Sequence, residues 1–421
     1  DNVDAVGGDA TGARAWSTVG TIKGLVDAVR AEGYTHALLL GMGGSSLAPE
    51  VFRLTYGVAD GYLDLAVLDS TDPGAVLNYD RALDPAKTLF IVSTKSGGTV
   101  ETLSFFKYFY NRTVETVGVD NAGAHFIAIT DPGSKLETLA QQYDFRATFV
   151  NDPNIGGRYS ALSYFGLVPA ALMGVDVPQL LWRAITLAAD CKRPGADNPG
   201  AWLGAVMGAL AKAGRDKLTI VATSSIASFG DWVEQLIAES TGKDGKGIMP
   251  VVGEPLGKPD EYGDDRLFVY LRLNGEEEHL AAVDALERAG QPVVRFTWQD
   301  LDDLGAQYFL WEFAVAVAGY RLGIQPFDQP NVESATMSAR SMVDAYAQSG
   351  ALPERTPLLT ENGIAVYAVV EGNSLKSALD NFLAQANTHD YLALQAYITP
   401  DSNADALLQA MRLKLRDRLR L

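Results

Sequence analysis

Cysteine, histidine and long apolar runs are all scarce in this chain, and each scarcity excludes something. A single cysteine, Cys191, among 421 residues leaves no internal disulfide, so a reducing, cytoplasmic setting is expected. Apolar stretches such as 36–40 and 313–318 fall far short of the roughly 20 residues that a membrane span requires, and no membrane partner is expected. Basic residues are outnumbered: 34 Lys and Arg face 52 Asp and Glu, for a net charge of −18 and a pI near 4.6. Such a chain repels nucleic acid, and any anion it binds must sit in a local positive pocket within an acidic body. Four histidines are all that is available for imidazole chemistry.

What is present is the composition of a globular protein, 47% hydrophobic and 20% charged, long enough for two or three packed units. The chain opens on Asp1 rather than Met, which reads as a mature fragment or part of a longer polypeptide. Short apolar runs alternate with helical periodicities, the pattern of parallel sheet covered on both faces. Strands are expected at 37–40, 65–68, 89–93, 125–130 and 147–150, with helices at 47–56 and 99–111. A helical stretch at 161–173 and a Pro- and Gly-bearing segment at 191–200 lead into a second unit. There the strands are expected at 217–222, 267–273 and 292–298, and the helices at 201–213, 232–240, 276–289 and 308–322. A third pattern runs strand 364–370, helix 374–386, strand 391–399 and helix 404–419. The expected architecture is α/β, with units at 1–180 and 181–349, a small C-terminal α/β appendage at 350–421, and a cleft at the carboxyl ends of the strands.

Two strand-to-helix turns carry chemistry. S-T-K-S-G-G-T-V-E-T at 93–102 follows the apolar run 88–92 and sets Thr94, Lys95, Ser96 and Thr99 beside two glycines. Hydroxyls, backbone N–H groups, a lysine and the positive end of a helix dipole converge there on an anion of phosphate size. The spacing is not that of a P-loop, so a nucleoside triphosphate is not the expected ligand. G-M-G-G-S-S at 41–46, which contains Gly44 and Ser45, repeats the arrangement after the strand at 37–40.

Helix 232–240 places Gln235 and Glu239 four residues apart, on one face. An arbitrary helical glutamate is a surface carboxylate, but Glu239 opens E-S-T-G-K, a glycine-bearing turn able to carry a carboxylate into a pocket. Arg158 stands in N-I-G-G-R-Y-S, where two glycines permit close backbone approach to a ligand; its competing reading is a solvated surface charge. Of the histidines, His36 and His125 head strands, and His389 lies in a polar turn of the appendage. His279 begins a helix beyond strand 267–273, where catalytic groups collect, although its position alone favours a structural role.

The strings at 41–46, 94–102 and 156–160, with Q-L-I-A-E-S-T-G-K at 235–243 and P-F-D-Q-P-N-V-E at 326–333, occur in the order found in glucose-6-phosphate isomerases. The chain resembles that family over about residues 20–345. The appendage and the wording G-M-G-G-S-S-L-A-P-E-V-F are similar to the isomerase half of bacterial transaldolase and phosphoglucose isomerase fusions. The resemblance implies two flavodoxin-like sugar-isomerase (SIS) domains, no metal and no cofactor, and interconversion of glucose 6-phosphate and fructose 6-phosphate through a cis-enediol. It further implies a homodimer or a fused transaldolase domain as partner. By the same resemblance the phosphate rests on Gly44, Ser45, Thr94, Lys95, Ser96 and Thr99. Glu239 is then the base, Arg158 stabilises the enediolate, His279 opens the sugar ring, and Gln235 and Gln329 position the substrate. Glu239, Arg158 and Gln235 together weigh against the alternative of a phosphosugar-binding regulatory module. An isomerase for mannose 6-phosphate or an amino sugar phosphate would keep nearly all these residues.

One position departs from the family pattern. The lysine expected seven residues after Gln329 is Thr336 here, and Arg340, four residues on, is the nearest cation on the same helical face.

Overall fold

Short apolar runs close into two parallel sheets that share a core. The computed structural model describes residues 10–399 and 401–420, with the side chains of 10–19, 331–334 and 336 outside the described set. Strands β1 (His36–Leu40), β2 (Asp64–Leu68), β3 (Thr88–Ser93), β4 (Phe126–Thr130) and β5 (Ala147–Val150) form a parallel sheet in the order β2-β1-β3-β4-β5. This is the flavodoxin-like order, whose switch point lies between β1 and β3. Every residue of β3 is buried, because alternate side chains enter cores on opposite faces. Leu89 and Ile91 pack with Phe52, while Phe90 and Val92 pack beneath Phe105, Phe106 and Phe109 of helix Val100–Val117.

The second sheet contains β6 (Lys217–Ala222), β7 (Met249–Val251), β8 (Arg266–Leu273) and β9 (Val293–Trp298), parallel and ordered β7-β6-β8-β9. Strand β7 has no counterpart in the sequence reading: it is three residues long with a central Pro250, a composition tolerated at a sheet edge. One apolar cluster spans both sheets, from Leu39 and Ile91 to Leu218 and Val269. At its centre Phe229 and Trp232 meet Tyr308 edge to face, and Tyr308 touches Phe52 of the first unit. The expected division after residue 180 falls inside helix Val177–Asp190, which packs on helix Asp303–Leu322 of the second unit.

The appendage differs from expectation. Residues Leu359–Glu361 (β10) and Ile364–Val366 (β11) form a small antiparallel pair, and helices Leu375–Leu383 and Ser402–Leu419 follow. The stretch 391–399, rich in apolar residues, is not a strand. It is an arm laid over both units: Lys217 Nζ donates to the His389 carbonyl at 2.6 Å, and Thr399 Oγ1 donates to Asp72 Oδ1 at 2.8 Å. No helix among the described residues is long and apolar enough to cross a membrane.

Where helix Phe229–Thr241 faces helix Leu47–Tyr56, carboxylates crowd. Desolvation, helped by Glu234 and Glu50, pushes the Asp231 carboxyl from its ordinary 3.8 up to about 6, although the residue as a whole is exposed. A raised carboxyl pKa means that the folded state holds the proton more tightly. Its favourable contribution is complete below pH 4 and is lost as pH rises through 6. Asp231→Asn is therefore expected to stabilise the protein above pH 6 by no more than about 1 kcal/mol, given its exposure to solvent, and to have no effect below pH 4. Chemical denaturation at pH 4 and pH 8 checks this, and equal shifts at both would refute it.

Candidate active site

Two turns at the carboxyl ends of adjacent strands make one side of the site. After β1 the chain passes through the 3-10 turn Gly43–Ser45 into helix Leu47–Tyr56; after β3 it passes through residues 94–99 into helix Val100–Val117. The turns are tied together by Ser93 Oγ, which donates to the Ser45 carbonyl at 3.0 Å. In the second turn the Thr94 and Thr99 hydroxyls lie 2.9 Å apart, Ser96 is exposed with its Oγ accepting from the Gly98 N–H, and Thr99 caps the helix without using its hydroxyl. Gly97 takes a φ of 67°, and a Cβ there would lie 2.3 Å from the Leu136 nitrogen, so no other residue fits. Lys95 reaches across the turn to the Asp131 carboxylate and the Pro153 carbonyl. Burial pushes the Asp131 carboxyl up, against the opposing pull of Lys95. Two of the three ammonium N–H groups are thus engaged within the protein.

The other side is built on Arg158, which is 1% exposed. Its five N–H groups all have partners. Nε donates to Ser240 Oγ at 2.8 Å, Nη1 to Gln329 Oε1 at 2.8 Å and Glu239 Oε2 at 3.3 Å, and Nη2 to the carbonyls of Pro326 and Asp328 at 2.6 and 2.9 Å. Tyr159 supports it, its hydroxyl lying 2.8 Å from Ser240 Oγ. Helix Phe229–Thr241 buries Phe229, Trp232, Val233, Leu236, Ile237 and Ser240 in helical spacing, which leaves Gln235 and Glu239 on the rim. Gln235 Nε2 donates to Glu239 Oε1 at 2.9 Å. The other amide atom, Oε1, is buried without a hydrogen-bond partner among the described residues.

Gly44 joins the two sides. A Cβ there would lie 2.3 Å from the Gly157 carbonyl carbon and 2.8 Å from the Arg158 nitrogen, so only glycine lets the phosphate-type turn press against the arginine backbone. Its neighbour Gly43 abuts Gln235 Nε2. The structure thus brings Gly44, Ser45, Thr94, Lys95, Ser96, Thr99, Arg158, Gln235, Glu239 and Gln329 to one locality.

It does not bring His279 there. His279 is exposed, adopts a left-handed φ of 66° and precedes helix Leu280–Arg288. Its neighbour Glu278 accepts from the Ser224 N–H and hydroxyl, just before the start of helix Phe229–Thr241. Glu239 lies ten residues along that helix, about 15 Å of rise away, so His279 and Glu239 stand at opposite ends. The ring-opening role expected of His279 has no geometric support within one chain. The Thr336 side chain lies outside the described set, and Arg340 is on an exposed helical face. Among the described residues no three His, Cys, Asp or Glu side chains converge as metal ligands.

Comparison with known proteins follows the same lines. The phosphoglucose isomerase family matches residues 2–246. A glucose-6-phosphate isomerase from Rubrobacter xylanophilus is 31% identical over 359 residues, covering 74% of this chain and 83% of that relative. One from Methanocaldococcus jannaschii is 27% identical, covering 72% and 82%. Among solved structures, a hypothetical protein from Thermus thermophilus superposes with a TM-score of 0.68 at 23% identity, over 81% of this chain and 92% of that one. A glucose-6-phosphate isomerase from Chlamydia trachomatis gives 0.66 at 18% identity, over 81% and 76%.

Proposed function

We propose a mechanism whose premise is that the chain belongs to the phosphoglucose isomerase family, and that it is an aldose–ketose isomerase interconverting glucose 6-phosphate and fructose 6-phosphate, a step of glycolysis and gluconeogenesis. The observation that carries the mechanism is the meeting of Arg158 with Glu239 and Gln329 at 3.3 and 2.8 Å, beside the hydroxyl-lined turns.

The phosphate rests on the turns after β1 and β3. Ser45, Ser96 and Thr99 donate to it, Thr94 orients Thr99, Lys95 adds its third N–H, and the helix N-termini at Leu47 and Val100 favour its charge. The sugar then extends toward Gly44 and the arginine. Glu239 takes the C2 proton of the open-chain aldose and returns it to C1, with a cis-enediol between. The proton is too weakly acidic for a carboxylate in water, so the developing enediolate charge needs a fixed cation, and Arg158 supplies it. Gln235 Oε1, an orphan acceptor, is satisfied by a substrate hydroxyl, and Gln329 holds the opposite edge. The lone, buried Cys191 supports a cytoplasmic location. Helix Pro330–Ser349, with Met337, Val343 and Tyr346 turned to solvent, supports a second copy of this chain as its cover.

A coupled assay on fructose 6-phosphate, beside mannose 6-phosphate and glucosamine 6-phosphate, tests the substrate; preference for either of the latter two would overturn it. The turns have their own test. Ser96→Ala with Thr99→Ala is expected to weaken 5-phosphoarabinonate, a charged enediolate mimic, by a few kcal/mol, since bonds to a charged group contribute roughly 1.5–3 kcal/mol each. Inhibition by arabinonate, which lacks the phosphate, should barely change. Equal losses would mean that the hydroxyls serve the fold instead.

A further inference from the structure

We infer that Lys243 is a positioning residue for the isomerisation, acting through the loop that carries Gln329; the inference rests on the mechanism above. The loop 325–329 has little packing to hold it. Gln325, Phe327, Asp328 and Gln329 are all exposed, and only Pro326 is buried. Phe327 lies against the Tyr159 ring and the Tyr159 hydroxyl donates to the Pro326 carbonyl, but most of the bonds that hold the loop come from two cations. Lys243 is itself buried, its side chain 6% exposed, and its three ammonium N–H groups go to the Gln325 carbonyl, the Asp328 carbonyl and Asp328 Oδ1, the last two at 2.6 Å. Arg158 takes the Pro326 carbonyl and the Asp328 carbonyl from the other side.

The two cations thus interleave along one short loop. Lys243 grips its first residue and its fourth, while Arg158 grips its second and its fourth. Gln329 follows directly, and its Oε1 accepts from Arg158 Nη1, the nitrogen that also faces Glu239. Freeing the loop would release Gln329 and leave Nη1 with one fixed partner instead of two. The base and the cation would then lose their relative orientation, although neither has been altered. Lys243 is placed for this task by the turn that ends helix Phe229–Thr241, in which the Lys243 N–H donates to the Lys246 carbonyl at 3.2 Å and the Lys246 N–H returns to the Lys243 carbonyl at 2.9 Å.

The test is a double-mutant cycle on the full chain, with kcat and KM measured separately on fructose 6-phosphate. Lys243→Met is expected to lower kcat about 30- to 100-fold with little change in KM, the size of loss that a displacement near 1 Å produces at a reacting centre. Gln329→Ala should give a smaller loss of the same kind. If Lys243 acts through Gln329, the double variant is no slower than Lys243→Met alone, since contacting residues do not add. Losses that multiply would show Lys243 to be merely structural and overturn the inference. Should Lys243→Met fail to fold, Asp328→Ala removes one of its three contacts at an exposed position, and the same non-additivity with Gln329→Ala is required. A wild-type chain unable to isomerise fructose 6-phosphate would refute the mechanism itself. An active wild type with a multiplicative cycle would refute only the role of Lys243.

Discussion

Glu239→Gln is expected to bind sugar phosphate normally and to turn it over at least 10²-fold and up to about 10⁴-fold more slowly, the usual loss on removing a positioned base. The substitution keeps the shape of a side chain whose two oxygens accept from Gln235 Nε2 at 2.9 Å and Arg158 Nη1 at 3.3 Å. It removes the proton acceptor and sets an amide N–H against one of those two donors. Binding should survive because the phosphate contacts proposed above lie on the turns after β1 and β3, across Gly44 from the carboxylate. Two measurements separate chemistry from binding. Exchange of the C2 hydrogen with deuterated solvent should vanish with turnover, and the affinity for 5-phosphoarabinonate should change far less than kcat. A variant that isomerises near the wild-type rate would make Glu239 the surface carboxylate that its 32% side-chain exposure also permits.

The sequence made half of this site legible. Strand-to-helix turns announce themselves through local composition, since the glycines and hydroxyls that shape Gly43–Ser45 and residues 94–99 are consecutive in the chain. Gly44 was visible as a turn glycine, but not as the contact that lets the turn touch Gly157, a residue 113 positions away. Arg158 and Glu239 stood in recognisable strings, yet two of the five contacts that fix Arg158 are to backbone: the carbonyls of Pro326 and Asp328 carry no side-chain signature.

His279 shows why the remainder was hidden. It does lie beyond the carboxyl end of β8, as its position implied. The acidic residue it was paired with does not share that end, because helix Phe229–Thr241 carries Glu239 away from the Ser224 turn before the chain reaches Ser240. The first sheet contributes the carboxyl ends of its strands; the second contributes the far end of a helix. No reading of strand ends alone separates these cases. The stretch 391–399 differs for a related reason: a run of apolar residues marks a chain that can be covered, but a strand also needs a neighbour for its ladder, and this arm has none.

Arg158→Lys is expected to reduce kcat by at least 10³-fold while the protein still folds, and Arg158→Met to lose both activity and about 1.5–3 kcal/mol of stability, the usual worth of hydrogen bonds made by a charged group. A lysine offers three N–H groups to a site that uses five, in a geometry that no ammonium can reproduce. It can meet at most three of the five acceptors, although Tyr159 still bonds the Ser240 hydroxyl and the Pro326 carbonyl and Lys243 still donates to the Asp328 carbonyl. The larger loss is catalytic. With every N–H of Arg158 engaged, an enediolate oxygen can be reached only by displacing a partner, and the longest contact, at 3.3 Å, is the one to Glu239. In the proposed mechanism, substrate entering between them would take Nη1 for its oxygen and release Oε2 as a base in the same movement. The other four contacts hold the guanidinium still while the fifth is exchanged. An arginine serving only as a clasp would give an Arg158→Lys variant whose fall in activity tracks its fall in melting temperature. An arginine that also meets the transition state gives one whose kcat collapses well below its unfolding temperature, with 5-phosphoarabinonate losing far more affinity than arabinose 5-phosphate.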